Sequence, residues 1–469
     1  MSKPVRAQDP KGSASEAAAG SSRAPVPLFS HRDAVFVALL ATCLAIRIGL
    51  WAIFRATHLA TDSEEYTALA YRFVTFDFHG YAAARTPIYP LILLATRFHE
   101  GVLWLVQSVM GIATSLIYYH VAKEHTGNRG LAFCAGAANS VLLNQLSFEA
   151  FVMTEAMAGL LLAASLFLSW PFAGVRGRKE VGRGRLLGAG IILGVAGLLR
   201  PLFLYLPLVF VIFARPRRRG GDQPRFGRRA VVGNLVLPTL IVVLGWSAFN
   251  YKEAGYFGLS TLSGYSLTNH SGAFIELVPE RYAVLRDIYL PARAAQVAAI
   301  GANSGAIWRA YPRMMQATRL SFVQLSRELT RMSLWLFIHH PLLYARHVGL
   351  AMIGFWNPTY YQPQFRTRSA GVRRATDLLW RVQRPFLRGL YLFFFLGTLH
   401  FLYQVFVRRR RPLLSFQGLV IAMVMLGCFF QALVEYGENP RYEAPFQPLV
   451  VLAICLSVAS IGCHRAPQH

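Results

Sequence analysis

The sequence has few charged residues for its length. Of its 469 residues, 15% are Asp, Glu, Lys or Arg, whereas 54% are hydrophobic. A soluble domain carries about a quarter charged residues, so this composition excludes an ordinary soluble protein and indicates a membrane protein. Acidic residues are especially scarce, because 22 Asp and Glu stand against 48 Lys and Arg, giving a formal net charge of +26.

The positive charge does not indicate nucleic-acid binding. Most basic residues lie in short runs between apolar stretches, where Lys and Arg act as topology signals. Cysteine is also scarce. The five cysteines are odd in number, nearly all lie inside or at the end of apolar runs, and they show no metal-ligand spacing. Neither a disulfide framework nor a zinc site is therefore expected.

Long apolar runs divide the chain into about ten predicted spans, since about 20 apolar residues cross a bilayer. The predicted spans are 34–54, 101–122, 131–146, 156–170, 186–199, 202–214, 230–250, 389–407, 413–434 and 445–461. Arg200 and Pro201 separate two short runs, and proline removes a backbone donor from a helix. A tight turn between two spans is expected there, with one long kinked helix as the alternative.

The connections between these runs differ in charge. One set carries the basic runs at 176–185, 215–229 and 408–411. The other set carries the acidic residues Glu149, Glu155, Glu435, Glu438 and Glu443. The positive-inside rule places the basic set in the cytoplasm, so the acidic connections are expected on the opposite face.

The fold class predicted from these features is an all-α polytopic membrane protein with amphipathic juxtamembrane helices. Its predicted parts are a disordered cytoplasmic tail at 1–33, a transmembrane core at 34–250 with a catalytic loop at 55–100, a non-cytoplasmic region at 251–388, C-terminal spans at 389–462 and a cytoplasmic tail at 463–469. In the region 251–388, the short apolar run 341–356 contains Arg346 and His347, which favours an interfacial helix over a span.

The first loop after the opening span holds a dense group of polar residues. Its acids are Asp62, Glu64, Glu65 and Asp77, and the motif RTPIYP follows at 85–90. Thr61 and Glu64 have capping-box spacing, so Asp62 is also explained as an acid in a first helical turn. Arg47, inside the first span, is expected to snorkel to the interface, with a polar cavity as the alternative.

Two chemistries are open to the polar groups on the acidic face. Carboxylates such as Glu149 and Glu155 serve as bases or bind divalent cations. The arginines Arg85, Arg200 and Arg441 match the geometry of phosphate, although headgroup snorkelling explains any one of them equally well.

At these positions the sequence resembles the GT-C class of membrane glycosyltransferases. The resemblance rests on the acidic first loop, the motif at 85–90, Thr154-Glu155 opening a span, Leu199-Arg200-Pro201 and the late motif ENPRY at 438–442. The nearest branch is the bacterial relatives of protein O-mannosyltransferases and aminoarabinose transferases. The motifs are short, and their order along the chain is the more specific signal.

The resemblance implies a function and a set of site residues. It implies transfer of a sugar, with inversion, from a polyprenyl-phosphate-linked donor to a hydroxyl group of a lipid, glycan or protein on the non-cytoplasmic face of the plasma membrane. The implied catalytic residues are Asp62 and Glu155. The predicted substrate-binding residues are Tyr66, Arg85, Tyr89, Arg200 and Arg441.

The resemblance also bears on cofactors. No nucleotide cofactor is implied, whereas a divalent cation, Mg²⁺ or Mn²⁺, held by Asp62 and Glu155 stays open. Some relatives have adjacent Asp and Glu in the first loop, but this chain reads Asp62-Ser63-Glu64-Glu65. This departure leaves open whether Glu64 or Glu65 shares the work of Asp62 and whether a metal is needed.

Two other functions fit the same features. A secondary transporter or flippase of lipid-linked saccharides also has many spans with interior polar residues. The sequence shows no repeated half, and its acids gather in loops at one face, which favours chemistry at the membrane surface. A family member that has lost catalysis and serves as a scaffold is the third possibility.

Overall fold

The computed structural model describes residues 33–54, 59, 62–169, 183–214, 227–360 and 369–462. Within these ranges the regular structure is helical. The α-helices are α1 (Ala34–Phe54), α2 (Ser63–Thr75), α3 (Ile88–Ala95), α4 (Glu100–Thr126), α5 (Arg129–Val141), α6 (Leu143–Glu149), α7 (Glu155–Ser169), α8 (Arg183–Leu199), α9 (Leu206–Phe213), α10 (Arg228–Ala254), α11 (Leu262–Ser271), α12 (Ala283–Ile300), α13 (Ala306–Thr318), α14 (Phe322–His339), α15 (Pro341–Phe355), α16 (Ala370–Phe406), α17 (Phe416–Val434), α18 (Asn439–Glu443) and α19 (Gln447–Gly462). Short 3₁₀ helices lie at Pro201–Tyr205, Gly272–Leu277, Glu280–Tyr282 and Ala444–Phe446.

The lengths of the helices agree with an all-α membrane protein. In the described chain, six helices are long and apolar enough to cross a bilayer, or seven if α5 and α6, which meet at a bend of 52°, form one broken span. Three shorter apolar helices lie at Glu155–Ser169, Gly184–Leu199 and Pro201–Phe213. The expected number of about ten spans therefore requires the three shorter helices to cross as well.

The outward faces of the long helices carry large apolar side chains, as a lipid environment requires. Ile48 is 66% exposed and Ile241 61% exposed, on α1 and α10. In water such surfaces would associate, whereas in a bilayer they need no partner.

The predicted interruption at Arg200 is present. Helix α8 ends at Leu199, Arg200 has an extended backbone with φ −137° and ψ 111°, and Pro201 begins the following 3₁₀ helix. This break turns the side chain of Arg200 away from the helical repeat of α8.

The region predicted at 251–388 contains a helical unit with its own core. Tyr265, Tyr289, Met314 and Leu329 are buried in a hydrophobic cluster built from α11 to α14. The predicted limits of this region fall inside helices, because α10 continues to Ala254 and α16 begins at Ala370. The tails predicted at 1–33 and 463–469 lie outside the described residues, apart from Asp33.

The snorkelling expected of Arg47 is wrong. Arg47 is 5% exposed, its Nε donates to Glu149 Oε2 at 2.8 Å, and its Nη2 donates to Glu149 Oε1 at 2.5 Å. Its Nη1 donates to Ser140 Oγ at 2.9 Å. A buried guanidinium needs a charged partner more than it needs solvent, so it pairs with Glu149 inside the bundle.

Candidate active site

The loop that follows α1 turns back onto the bundle and brings its acids to the arginines. Ser63 Oγ, at the start of α2, donates to the carbonyl of Val152 at 3.0 Å and fixes the beginning of α2. Asp62 precedes α2, but its side chain makes no capping hydrogen bond to the helix. The carboxylate is therefore free to meet guanidinium groups. Thr61, the other residue of the predicted capping box, lies outside the described residues.

Arg85 pairs with two acids of this loop. Its Nη2 donates to Asp62 Oδ1 at 2.8 Å, and its Nε donates to Glu65 Oε2 at 2.5 Å. The ring of Tyr66 lies against the same guanidinium, with its centroid 4.8 Å from the Arg85 Cζ. Glu65, one residue of the run whose role the sequence left open, is thus a partner of Arg85.

Arg441 joins the first loop to the start of α7. Its Nη1 donates to Asp62 Oδ2 at 2.7 Å, and its Nε donates to Glu155 Oε1 at 2.5 Å. Arg200 Nη2 lies 2.6 Å from the same Glu155 oxygen, and Arg200 Nε donates to Thr154 Oγ1 at 2.8 Å. Residues 379 positions apart in the chain therefore share one network of charge-assisted hydrogen bonds.

The acids and the arginines that these hydrogen bonds join are equal in number. Three carboxylates, Asp62, Glu65 and Glu155, face three guanidinium groups, which is what burial of so many ions requires. Burial alone would raise the pKa of Asp62, but the charges of Arg441 and Arg85 outweigh it and hold that pKa well below its usual value. Burial opposes the charge of Arg85, yet Tyr66, Asp62 and Glu65 raise the pKa of the guanidinium. Asp62 is therefore an ionised group with little tendency to take up a proton.

A cavity of about 770 Å³ lies next to the network. Its lining includes Asp62, Tyr66, Arg85, Arg200 and Arg441, which are called the arginine wall. The polar lining residues Ser260, Ser263, Ser266, Tyr256 and Glu435 are called the polar wall. The remaining lining is mostly apolar and includes Leu199, Leu202, Leu204, Leu208, Phe430, Leu433 and Val434.

Two of the predicted site residues lie behind the cavity wall. Glu155 is 3% exposed and forms ion pairs with Arg200 and Arg441. Tyr89 is 1% exposed, its hydroxyl donates to Gln107 Oε1 at 3.0 Å, and its ring packs edge-on against Tyr66 with centroids 5.1 Å apart. Tyr89 thus supports Tyr66 and does not reach the space in which a substrate would bind.

Two polar atoms of the network lack a protein partner. Nη1 of Arg200 and Oε2 of Glu155 are buried without a hydrogen bond within the described chain. Buried polar groups are rarely left unpaired, so an anion that accepts from Arg200 Nη1 would improve the network.

The side chains do not fit a divalent cation. Of the candidate ligands, Asp62 accepts from a guanidinium group at each carboxylate oxygen, and Glu155 accepts from Arg441 and Arg200 at Oε1. Across the residues that the structure describes, no group of three His, Cys, Asp or Glu side chains could hold a metal ion. The guanidinium groups occupy the positions in which a cation would neutralise these acids.

Sequence reasoning missed the cavity role of Glu435. It was recognised only as one of several acids in the connections of one face, and its spacing from the first loop carries no signal. The fold brings it to the cavity because α17 ends at Val434, directly before it.

These observations define a multi-pass helical membrane protein with a paired arginine and carboxylate site beside a cavity. No protein-family model matches the chain, and no curated protein sequence matches it. Among solved structures, the chain is similar to the crystal structure of ArnT from Cupriavidus metallidurans bound to undecaprenyl phosphate. The match has 14% sequence identity, a TM-score of 0.38, and covers 91% of this chain and 77% of that chain. At this level of similarity, function has to be argued from the site.

Proposed function

We propose that this protein is a membrane glycosyltransferase that moves a sugar, with inversion, from a polyprenyl-phosphate-linked donor to a hydroxyl acceptor. The acceptor is a lipid, glycan or protein, and the reaction takes place on the non-cytoplasmic face of the plasma membrane. The observation that carries the proposal is the meeting of Arg85, Arg200 and Arg441 in a cavity that is also lined by a group of apolar side chains.

The arginine wall supports binding of a lipid phosphate. Guanidinium groups match phosphate oxygens in geometry and charge, and Arg200 retains an unpaired buried donor. The apolar wall reaches helix faces that are open to the surroundings, since Leu208 is 59% exposed and Val434 45% exposed. An isoprenoid chain leaving the cavity past these residues would enter the bilayer.

The same wall supports the chemical step. As the bond between the sugar C1 and the phosphate oxygen breaks, its electron pair remains on the phosphate, and negative charge develops there. Guanidinium groups that are already fixed in position stabilise that charge without reorganisation. The catalytic roles of Asp62 and Glu155 stay predictions. Their contacts support a second role, in which the two carboxylates hold Arg85, Arg200 and Arg441 in place.

The test is an assay with purified protein in lipid nanodiscs. The protein is incubated with a panel of polyprenyl-phosphate sugars and hydroxyl acceptors, and released polyprenyl phosphate and glycosylated product are measured together. We expect both to form in equal amounts from at least one donor. Binding of undecaprenyl phosphate should weaken in Ala variants of Arg85, Arg200 and Arg441, whereas Arg331→Ala, a change at an exposed residue, should not alter it. Unchanged binding in all three site variants would remove the phosphate role.

A transporter or flippase of lipid-linked saccharides is the second candidate, and the cavity with its lateral apolar wall is compatible with it. The two candidate functions differ in what happens to the donor. A flippase moves the intact donor between the leaflets of a vesicle and releases no polyprenyl phosphate, whereas the proposed enzyme cleaves the donor without moving it.

A further inference from the structure

The acids that line the cavity are held in different ways. Asp62 accepts from Arg85 and Arg441, one at each carboxylate oxygen. Glu435 accepts from Asn269 Nδ2 at 2.6 Å through Oε1, and the groups that act on its charge are Ser266, Asn269, Glu438 and the N–H of Tyr436. None of these described neighbours of Glu435 is a cation.

Glu435 is also held firmly. Its backbone directly follows α17, and its partner Asn269 is fixed by the loop before α13. Gly305 N–H donates to Asn269 Oδ1 at 3.0 Å, and Asn303 Nδ2 donates to the Asn269 carbonyl at 3.0 Å. The side chain is 8% exposed, so its carboxylate is oriented by protein contacts and not by solvent.

Tyr442 links Glu435 to the arginines of the cavity. Tyr442 lines the same cavity and interacts electrostatically with Glu435 as well as with Arg441, Arg200 and Asp62. The Arg200 guanidinium lies 5.1 Å from the centroid of the Tyr442 ring. The ring therefore lies among these charges, and Glu435, whose side chain is hydrogen-bonded to Ser266, lines the cavity together with Ser260 and Ser263.

We propose that Glu435 accepts the proton of the attacking hydroxyl group, and that the polar wall with Ser260, Ser263 and Ser266 binds the acceptor. This proposal rests on the proposed glycosyl transfer. The hydroxyl oxygen forms a bond to the sugar C1 while the bond from C1 to the phosphate oxygen breaks. The electron pair of that bond leaves with the phosphate toward the arginine wall, and the hydroxyl proton passes to a Glu435 oxygen.

The acid strength of Glu435 suits this role better than that of Asp62. Burial raises the pKa of Glu435 to about 7, with Ser266 and Asn269 acting in the opposite direction. A general base works best when its pKa lies near the working pH, and such a base contributes about 10²- to 10⁴-fold in rate. Asp62, whose pKa is held well below its usual value, is a poor proton acceptor.

The sign of the pH dependence follows from this shift. Glu435 is ionised, and able to accept a proton, above about pH 7, and it becomes protonated as the pH falls below that value. The rate should therefore fall on the acidic side. The polar and titratable groups that face Glu435 come from three segments. They are Ser266, Asn269 and His270 from α11, Tyr436 and Glu438 from the turn between α17 and α18, and Tyr442 from α18.

The test compares Glu435→Gln with the wild type in the donor assay. Gln keeps the oxygen that accepts from Asn269, so the variant should fold and bind undecaprenyl phosphate within twofold of the wild type. We expect kcat to fall at least about 100-fold and the acidic limb of the pH profile to disappear. Glu280→Gln, the same change at a side chain that is 88% exposed, should leave kcat and the pH profile unchanged.

A second variant separates proton transfer from a structural role. Glu435→Ala leaves space for a small carboxylate, and added formate should restore part of its rate, with no such effect on Glu280→Ala. If the wild type transfers sugar and Glu435→Gln retains the wild-type rate and acidic limb, the role of Glu435 is overturned and the proposed function stands. If the wild type cleaves no donor in the panel, the proposed function fails and the role of Glu435 fails with it.

Discussion

At the scale of single residues, the site is decided by how buried charges find partners. A buried guanidinium or carboxylate without a partner is far more destabilising than the pair is stabilising. Asp62 illustrates the consequence, because its two oxygens connect Arg85 to Arg441. Its ionised state, kept by those two charges, holds the donors of the arginine wall in fixed positions.

Asp62→Asn removes the charge and one of the two acceptors. We expect the protein to remain folded and transfer to fall at least about 100-fold, since a hydrogen bond to a charged group contributes about 1.5–3 kcal/mol and two are weakened together. Turnover in the donor assay measures this. The matched control is Asp77→Asn, an exposed acid of the same loop that binds the N–H of His79. Wild-type turnover by Asp62→Asn would exclude any essential role for Asp62.

The Arg47–Glu149 pair makes a separate prediction about stability. Arg47→Met leaves Glu149 buried and unpaired, so we expect the free energy of unfolding to drop by about 3–5 kcal/mol. The double variant Arg47→Met/Glu149→Leu removes both charges and should regain most of that loss. Thermal unfolding in detergent measures both. A single variant as stable as the wild type would show that this pair contributes little.

At the scale of elements, irregular backbone inside the bundle is held by side chains from neighbouring helices. Gln107 of α4 donates through Nε2 to the carbonyls of Glu149 and Phe151, each at 2.9 Å. Ser63 supplies the bond to Val152. Unpaired carbonyls are costly away from water, so these contacts stabilise the connection between α6 and α7 and thereby place Thr154 and Glu155.

Helices α8 and α10 meet through a close approach that requires glycine. Pro238 has no N–H, so the carbonyl of Asn234 four residues earlier lacks its helical donor. A Cβ at Gly190 would lie 1.9 Å from that carbonyl oxygen. We expect Gly190→Ala to lower the free energy of unfolding by about 1–3 kcal/mol, as overpacking does.

Gly188 is the control for this prediction. A Cβ there would meet Leu168 Cδ1 at 3.6 Å, an ordinary contact. Gly188→Ala should therefore be neutral or stabilising, because Ala favours the helix over Gly. Equal stability of the two variants in thermal unfolding would contradict the close packing of α8 on α10.

At the scale of the whole molecule, the distribution of charge predicts the orientation in the membrane. The basic run 408–411 is expected in the cytoplasm, and the helical unit of α11 to α14 outside it. In a chain whose native cysteines are replaced, Arg410→Cys should react with a membrane-impermeant thiol reagent only in inverted vesicles. Glu280→Cys should react in intact cells. Labelling of both from the same side would contradict the orientation and the proposed side of the reaction.

The sequence predicted the fold class and five of the residues that line the cavity. The long apolar runs predicted α1, α4, α10 and α17 because hydropathy alone decides whether a helix suits a bilayer. The motifs pointed to Asp62, Tyr66, Arg85, Arg200 and Arg441, which the structure brings to one cavity. Tyr89 was assigned to the substrate but supports Tyr66, because a motif does not say which face of α3 is buried.

Local composition by itself determined where this chain crosses a membrane and which polar residues it carries between the crossings. Tertiary structure alone decided which charges meet. The pairing of Arg47 with Glu149, of Arg441 with both Asp62 and Glu155, and the arrival of Glu435 at the cavity join residues far apart in the chain. Such pairings depend on how helices pack and on the need of each buried charge for a partner, and neither leaves a pattern in the local sequence.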